Sequence, residues 1–257
     1  MKRVAISFDF EECDLPREQG VDFPIEEGIK LSIEGAHAVL DALERQGVRA
    51  TFFCTLNFAE RASGVMKRLI AGGHEIAAHG VDHFKPAKDD PVRCKEGLER
   101  LYGVRVVGYR QPRMSGVDDA LLREAGYLYD SSLNPAFIPG RYSHLGDPRT
   151  IFTRDGLRHI PASVTPVVRF PLFWLALHLL PERIYLALVR RTLRHDGYFV
   201  TYFHPWEFSS LDARAVELKV PRLVRCNLGS RMVGRLERLL VALRKDGADF
   251  VTLKELA

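Results

Sequence analysis

Residues Gly73–His83 read Gly-His-Glu-Ile-Ala-Ala-His-Gly-Val-Asp-His and place two histidines after a short apolar stretch. We predict a buried strand over Glu75–Ala78 that stops at His79, with a turn at Gly80. A strand that stops there can direct His79 and His83 at one point. Neutral imidazole nitrogen is a common zinc ligand. The pattern therefore predicts two ligands of a metal site whose third ligand comes from elsewhere in the chain.

The best candidate for the third ligand lies in Ser7–Glu12, where an apolar strand ends in three carboxylates. Asp9 and Glu11 point to the same side if the strand continues, and Glu12 is the alternative ligand if the chain has already turned. A three-ligand site with an open position activates a water near neutral pH. A second carboxylate beside it can serve as general base. The alternative interpretation is a solvated acidic loop.

Strand-like and helix-like patterns alternate along the chain, which predicts βα units around a parallel sheet. Seven or eight units in 257 residues favour an α/β fold of the TIM-like barrel type, in a single domain over residues 1–257. The irregular span Leu133–Arg154 is long for a compact domain and is predicted to be functional. The predicted strands are Val4–Asp9, Val48–Cys54, Glu75–His79, Val104–Arg110, Tyr127–Ser131, Leu157–Ile160, Gly197–His204 and Ala248–Leu253. The predicted helices are Ser32–Gln46, Ala62–Ala71, Asp90–Tyr102, Val117–Ala125, Pro181–His195 and Arg231–Lys245.

Polar residues follow several of these strands directly. Arg110, Asp130 and His204 do so in the same way as Asp9 and His79. In a parallel βα barrel such positions converge on the carboxyl-end face of the sheet, where active sites lie. Polar residues placed only for solubility would not fall at five separate strand ends, so the pattern predicts an enzyme.

Each of the later residues has a chemical and a structural interpretation. Arg110 could hold the Asp9 carboxylate ionised and oriented, or form a structural salt bridge. Asp130 could orient a histidine or cap a turn. His204 suits a general acid that protonates a leaving amine. Trp206 offers a flat apolar face for a sugar ring, or packs in the core.

The composition is that of an ordinary globular protein, with 46% hydrophobic residues, 27% charged residues and a net charge of +4. This mild and scattered basicity predicts no nucleic-acid partner. The four cysteines match no zinc-ribbon spacing. No signal-peptide pattern is visible at Met1, so we expect a cytoplasmic protein that could work at the inner membrane face.

The most apolar run, Phe170–Leu180, is too short to span a bilayer. It has three open interpretations: a lid, a contact between copies in a homo-oligomer, or a segment that touches a membrane surface beside Arg190, Arg191 and Arg194. A lid or an oligomer contact is favoured.

The motifs occur in an order that resembles the polysaccharide deacetylases of the NodB-homology type, carbohydrate esterase family 4. The resemblance runs from about Ser7 to Glu207. Its last part, His-Pro-Trp-Glu at His204–Glu207, resembles a subgroup associated with bacterial exopolysaccharide loci and with peptidoglycan-deacetylase-like or cyclic-imidase-like members. The motifs that carry the resemblance are the acidic cluster after the first strand, Ala50–Phe53, His74–His83, Arg110–Pro112, Asp130–Ser132 and His204.

The resemblance implies a distorted (β/α)7 barrel and a divalent metal bound by one Asp and two His. That metal is often Zn2+, with Co2+, Ni2+ or Mn2+ as alternatives. The implied reaction is metal-assisted removal of the acetyl group from an N-acetylhexosamine, so the implied partner is a carbohydrate substrate, either a glycan or a glycan precursor.

Carried over by position, the family roles fall on named residues of this chain. Asp9 resembles the base, Arg110 the residue that orients it, and His204 the acid; Asp130 completes the predicted catalytic set. Glu11, at a position where an Asp is usual, and His79 and His83 resemble the metal ligands. The backbone N–H of Arg113 falls where the family places an oxyanion donor. The predicted substrate contacts are Arg113, Trp206 and Glu207.

Three departures from the family pattern surround the predicted substrate pocket. The usual Asp-Asp is here Asp9-Phe10-Glu11-Glu12, the usual tyrosine after Arg-x-Pro is Arg113, and the usual Leu-x-His is Tyr202-Phe203-His204. Two alternatives therefore stay open. One is a hydrolase of cyclic amides or imides with the same fold, and the other is an inactive barrel that only binds glycan.

Overall fold

The computed structural model describes residues 2–139 and 142–257. Its strands are β1 (Lys2–Phe10), β2 (Thr51–Cys54), β3 (Glu75–Ala78), β4 (Gly108–Tyr109), β5 (Tyr129–Asp130), β6 (Phe137–Ile138), β7 (Tyr142–Ser143), β8 (Phe152–Arg154), β9 (Leu157–His159), β10 (Tyr198–Phe203) and β11 (Ala248–Phe250). Its helices are α1 (Leu15–Glu18), α2 (Ile25–Gln46), α3 (Leu56–Arg61), α4 (Ser63–Ala71), α5 (Asp90–Tyr102), α6 (Asp119–Glu124), α7 (Trp174–Leu179), α8 (Glu182–Asp196), α9 (Leu211–Arg214), α10 (Arg222–Arg225) and α11 (Ser230–Lys245). Short 3-10 helices cover Pro112–Met114, Pro205–Phe208 and Leu253–Glu255.

The main sheet has the strand order β10-β1-β2-β3-β4-β5-β9-β8. Neighbours from β10 to β9 are parallel, β8 pairs antiparallel with β9, and β11 pairs with the start of β1. Ser163 links the two ends of the curled sheet: its N–H donates to the Val200 carbonyl at 2.9 Å, and its Oγ accepts from the Val200 N–H at 2.9 Å. The predicted distorted (β/α)7 barrel is confirmed.

Side-chain alternation along the strands decides which residues enter the barrel. Ala5 of β1, Phe53 of β2 and Ala77 of β3 belong to one buried cluster inside the barrel. Phe8 and Phe52, which have the opposite parity, belong to the larger cluster between the sheet and its helices. By the same alternation, the residues that follow β1 and β3 with inward parity point into the barrel mouth.

Element boundaries differ from the predicted ones mainly in the strands. The predicted strand Val104–Arg110 shrinks to Gly108–Tyr109, and Tyr127–Ser131 shrinks to Tyr129–Asp130. The irregular span Leu133–Arg154 contains the hairpin of β6 and β7 and the strand β8; residues 140 and 141 of that span lie outside the described residues. Barrel strands need only a few ladder pairs each, because their remaining backbone groups bond to turns.

The predicted helix Ser32–Gln46 begins earlier, at Ile25 after Pro24, and stops at Gly47 as expected. Pro24 favours a helix start, because its missing N–H would be unsatisfied there. Among the described residues, no helix is both long and apolar enough to cross a membrane.

Candidate active site

Glu11, His79 and His83 meet at the carboxyl-end face of the barrel. Glu11 follows β1 and His79 follows β3, both with inward parity. The Glu11 Oε2 atom lies 3.1 Å from His79 Nε2 and 3.2 Å from His83 Nε2. All three side chains are buried. The two histidines of the opening stretch therefore share one carboxylate oxygen, as the predicted ligand set requires.

The far sides of the two imidazole rings are held by other groups. His79 Nδ1 lies 2.8 Å from the Arg110 carbonyl, which can only accept a hydrogen bond, so His79 carries its proton on Nδ1. His83 Nδ1 lies 2.9 Å from Asp14 Oδ2. Such partners on the outer nitrogen orient metal-ligating histidines and leave Nε2 available. Asp14 was not anticipated, although an acidic residue three positions beyond Glu11 was visible in the sequence.

Glu12 has a different role. Its Oε2 accepts a hydrogen bond from Thr55 Oγ1 at 2.8 Å, and its Oε1 accepts one from the His83 backbone N–H at 3.2 Å. Burial raises the pKa of Glu12 above its usual value, and these hydrogen bonds only partly offset it. Of the two competing carboxylates, the structure brings Glu11 to the histidine nitrogens and uses Glu12 to hold the His83 backbone.

The donor set suits a tetrahedral divalent cation. The ligand atoms of Glu11, His79 and His83 all lie within 4.8 Å of one another. Ligands of a tetrahedral zinc lie roughly 3.3 Å apart, close to the measured separations. Burial lowers the pKa of His83, but Glu11 and Asp14 outweigh it and raise that pKa to about 9. The same negative charge attracts a cation, so the residues fit the metal that the resemblance implies.

Asp9 lies beside these ligands and is paired with Arg110. Arg110 Nη1 donates to Asp9 Oδ1 at 2.5 Å, while Asp9 Oδ2 lies 4.0 Å from His79 Nε2. Burial raises the pKa of Asp9, but the Arg110 cation, helped by His79 and His204, outweighs burial and holds it below its usual value. Asp9 is therefore an ionised carboxylate with one oxygen held in place.

Arg110 is fully buried and rigidly placed. Its Nε donates to the Ser131 carbonyl at 3.1 Å and its Nη2 to Ser131 Oγ at 3.0 Å, and its guanidinium lies 4.0 Å from the centre of the Phe53 ring. An arginine held on three sides keeps its fork in one orientation. Both interpretations of Arg110, an orienting cation and a salt bridge, thus describe one contact.

His204 reaches the same chamber from β10, whose Phe203 is in register with Phe8 of β1. Its Nδ1 lies 2.9 Å from Glu207 Oε1. Burial lowers the pKa of His204, but Glu207 and the more distant Glu11 raise it by more, so the net pKa lies above its usual value. A histidine with a raised pKa whose Nδ1 is held by a carboxylate is suited to donate a proton from Nε2.

Close packing of α2 sets the position of this segment. A Cβ at Gly35 would lie 1.7 Å from the Pro205 carbonyl oxygen, so only glycine lets α2 approach the chain after β10. This contact holds the short helix that follows His204 against the barrel.

Arg113 adopts a left-handed backbone conformation, with φ of 61°. Strained conformations of this kind cluster at functional sites. Its guanidinium pairs with Asp14 Oδ2 at 3.2 Å and with Glu18 Oε1 at 2.9 Å, so the side chain covers the His83 side of the site. The predicted oxyanion role of its backbone N–H stays a prediction.

Asp130 lies one layer behind the ligands. Its Oδ1 accepts from the Ser132 N–H at 3.2 Å and its Oδ2 lies 3.3 Å from His159 Nδ1. Ser132 Oγ in turn accepts from the Gln111 N–H at 2.8 Å. Asp130 thus both caps a turn and orients a histidine, but that histidine is His159, which was not among the predicted site residues.

Two predicted substrate contacts do not fit their surroundings. Trp206 is 5% exposed: it packs in an apolar cluster with Phe23 and Leu211, and its ring stacks on His204 at 5.1 Å between centroids. Glu207 is fully buried and bonds to His204. Neither side chain presents a surface to a sugar, because the short helix Pro205–Phe208 turns both toward the core. His204 and Glu207 are three residues apart with Pro205 between them, and they form a capping box; this spacing was the signal for the local pairing.

The Phe170–Leu180 segment contains α7. Ala176, Leu177 and His178 are buried, and Arg235 Nε donates to the Leu177 carbonyl at 2.9 Å. Phe170 and Leu179 remain 40% and 42% exposed. One face of the segment is therefore a fixed part of the fold, and the contacts predicted for its outer face stay predictions.

Comparison with known proteins finds a family model that matches part of this chain. Residues 26–129 match the family model described as polysaccharide deacetylase. A curated peptidoglycan deacetylase of Helicobacter pylori is 27% identical over 172 residues, which cover 60% of this chain and 59% of that protein. The chain thus matches less than two thirds of the length of that relative.

Solved structures share the fold. A Mycobacterium smegmatis structure named as a polysaccharide deacetylase has a TM-score of 0.65 at 21% identity, covering 99% of this chain and 88% of that one. A carbohydrate esterase family 4 pseudoenzyme from Bacillus anthracis has a TM-score of 0.54 at 12% identity, covering 99% and 65%. The fold alone therefore does not decide activity. Residues 26–129 therefore resemble polysaccharide deacetylases in sequence, and the chain as a whole shares the fold of the solved structures.

Proposed function

We propose that this chain hydrolyses the N-acetyl group of N-acetylhexosamine units in a glycan or a glycan precursor. The observation that carries the proposal is the convergence of Glu11, His79 and His83 beside the Asp9–Arg110 pair. The family match and the name of the curated relative support a sugar amide as substrate.

The chemistry divides between the bound cation and the chain. When bound by Glu11, His79 and His83, a divalent cation supplies a Lewis acid that polarises the amide and makes water acidic. Asp9, kept ionised by Arg110, accepts a proton from the attacking water. In this proposal the Arg113 N–H donates to the oxygen that gains negative charge. His204 gives a proton to the nitrogen as the carbon–nitrogen bond breaks, so that acetate and a free amine leave.

Zinc is the cation that we propose. Two imidazole nitrogens and one carboxylate oxygen with the fourth position open are typical of catalytic zinc, whereas Mg2+ and Ca2+ prefer all-oxygen sites. Co2+, Ni2+ and Mn2+ accept similar ligands and are outcomes that a metal analysis would distinguish.

The test is a substrate panel on zinc-loaded protein, with acetate release measured from N-acetylglucosamine oligomers and ring opening measured for cyclic imides. Asp9→Asn is expected to lower kcat by about 10²–10⁴-fold. Glu217→Gln is the matched control, because Glu217 is exposed and far from the site.

Ring opening without acetate release would show that the substrate is a cyclic imide and not an N-acetylated sugar. Metal binding with no turnover on any substrate would leave a glycan-binding barrel. A cytoplasmic location, a membrane contact and a homo-oligomer stay predictions, which fractionation and light scattering can test.

A further inference from the structure

A carboxylate behind the site is shared by two histidines. Glu207 Oε1 lies 2.9 Å from His204 Nδ1 and also accepts from the His204 backbone N–H at 2.6 Å. Glu207 Oε2 lies 3.0 Å from His178 Nε2 in α7. Both carboxylate oxygens are occupied, and the side chains of Glu207 and His178 have no exposed surface.

The proton positions in the His204–Glu207–His178 hydrogen bonds follow from which atoms can donate and which can accept. Burial raises the pKa of Glu207, but its hydrogen bonds to His178 and His204 outweigh burial and hold that pKa below its usual value. An ionised carboxylate can only accept hydrogen bonds. His204 therefore donates from Nδ1 and His178 from Nε2, which leaves His204 Nε2 as the nitrogen that can transfer a proton.

His178 has a feature that distinguishes it from an ordinary buried histidine. Its Nδ1 is buried and has no hydrogen-bond partner among the described residues. A protonated Nδ1 would leave an N–H unsatisfied in the core, and an imidazolium there would be costlier still. His178 therefore acts as a neutral donor through Nε2, with only a lone pair left unpaired.

Aromatic rings enclose the two histidines. The Trp206 ring stacks on His204 with an interplanar angle of 16°. The Trp174 ring of α7 stands edge-on to His204 at 5.4 Å and to His178 at 5.6 Å. These rings keep water from competing for Glu207, so its hydrogen bonds act in a low-dielectric setting.

We propose that His178 and Glu207 are positioning residues for His204, and that α7 holds His178 against Glu207. This inference rests on the proposed function. When the carbon–nitrogen bond breaks, the leaving nitrogen keeps its electron pair. The His204 Nε2–H bond breaks in the same step, and its proton passes to that nitrogen. His204 returns to a neutral imidazole whose Nδ1–H remains on Glu207.

The charges around His204 come from two sides. Asp9, Glu11 and Asp14 approach from the end of β1, and Glu207 lies behind the ring with His178 beyond it. A bound cation would alter how Asp9, Glu11 and Asp14 act on His204. Glu207 has no hydrogen bond or ion pair with Glu11, His79 or His83 among the described residues. The contribution of the rear pair can therefore be measured with the cation kept constant.

The first experiment follows kcat against pH for zinc-loaded wild type, Glu207→Gln and His178→Phe. Glu207→Gln is expected to lower kcat about 100-fold and to move the limb assigned to protonated His204 to lower pH by at least one unit. His178→Phe is expected to lower kcat about tenfold, with KM within twofold and a small shift of that limb to higher pH, because Glu207 loses one donor and its charge acts more fully on His204. His178→Asn, which keeps a donor, should recover part of the loss, and His195→Asn on the exposed end of α8 is the control.

A second measurement separates this inference from the proposed function. Histidine-selective nitrogen NMR of the intact protein reports the tautomer and pKa of His204 without any substrate. We expect a proton on Nδ1 in wild type and a higher His204 pKa in His178→Phe. If that pKa and the pH limb are both unchanged in a folded His178→Phe variant, the positioning role is overturned. If wild type releases no acetate but the NMR shift is present, the proposed function fails and the His204–Glu207–His178 chain stands.

Discussion

Two buried carboxylate clusters lie at opposite ends of the same barrel and use their charge differently. At the amino-end face, Glu75 accepts hydrogen bonds from Thr51 Oγ1 at 2.7 Å, Tyr129 Oη at 2.9 Å and the Lys254 N–H at 3.0 Å. All three donors are neutral groups of the chain. At the carboxyl-end face, Glu11 instead lies between two histidine nitrogens, 3.1 Å from His79 Nε2 and 3.2 Å from His83 Nε2.

Stabilising contacts and reactive groups therefore lie at different ends of the barrel. The Glu75 cluster ties the last 3-10 helix across the barrel, because Thr51 Oγ1 also accepts from the Leu253 N–H at 2.8 Å. Burial raises the pKa of Glu75, so this carboxyl is poorly suited to hold a charge. At the carboxyl-end face, the buried Arg110 cation keeps Asp9 ionised. Parallel barrels place reactive groups at the carboxyl-end face and stabilising contacts at the other.

The comparison predicts its largest effect for metal binding. Glu11→Gln replaces the shared carboxylate and is expected to abolish stoichiometric zinc, with at least a 10³-fold loss of activity. Glu12→Gln is the matched control and should weaken zinc affinity by no more than about 10–100-fold, because Glu12 acts through the His83 backbone. Zinc content after gel filtration is the measurement, and the reverse ranking of the two variants would exchange their roles.

Arg110→Leu should strongly destabilise the folded protein through the carboxylate cluster at the carboxyl-end face. It leaves the buried Asp9 carboxylate without its cation, and breaking a buried pair in this way costs about 3–5 kcal/mol of unfolding free energy. Urea denaturation of the metal-free protein measures it. A loss below about 1 kcal/mol would show that Asp9 finds another partner or takes up a proton.

Glu75→Gln should separate the two ends of the barrel. The new amide NH2 cannot accept a hydrogen bond, so at least one neutral donor at Glu75 loses its acceptor. The free energy of unfolding should therefore fall by about 1–3 kcal/mol. The kcat of the folded variant should stay within twofold of wild type, because Glu75 lies at the face away from the site. A tenfold loss of kcat in folded protein would contradict the division between the two ends.

The smallest effect is a pH dependence of stability at the amino-end face. Burial, helped by Arg49 and Arg68, lowers the pKa of His74 to about 4. Below its ordinary value of 6.5 the unfolded chain binds the proton first, so stability is present above pH 6.5 and is lost as the pH falls toward 4. Partial exposure limits the loss to roughly 2 kcal/mol. Unfolding free energies of wild type and His74→Asn between pH 7 and 4 measure it, and parallel curves would contradict it.

Local patterns were enough to predict much of the site. The strand that ends at His79, the carboxylates after β1 and the histidine after β10 could be recognised because alternation and strand ends are properties of short segments. The choice between Glu11 and Glu12 could not be made, since it depends on where the chain bends after Phe10. Asp14 and His178 were missed because their partners are 69 and 29 residues away in sequence.

The βα alternation, the ordered motifs and the residue types that a metal-dependent hydrolase needs are all visible in the amino-acid sequence. The burial of Trp206 and Glu207, and the contact between α7 and His204, depend on tertiary packing. The physical reason is that alternation assigns a side chain to one face of a strand, whereas the short helix after β10 takes its orientation from packing. There, the close approach of α2 at Gly35 decides which side chains are buried and which meet the site.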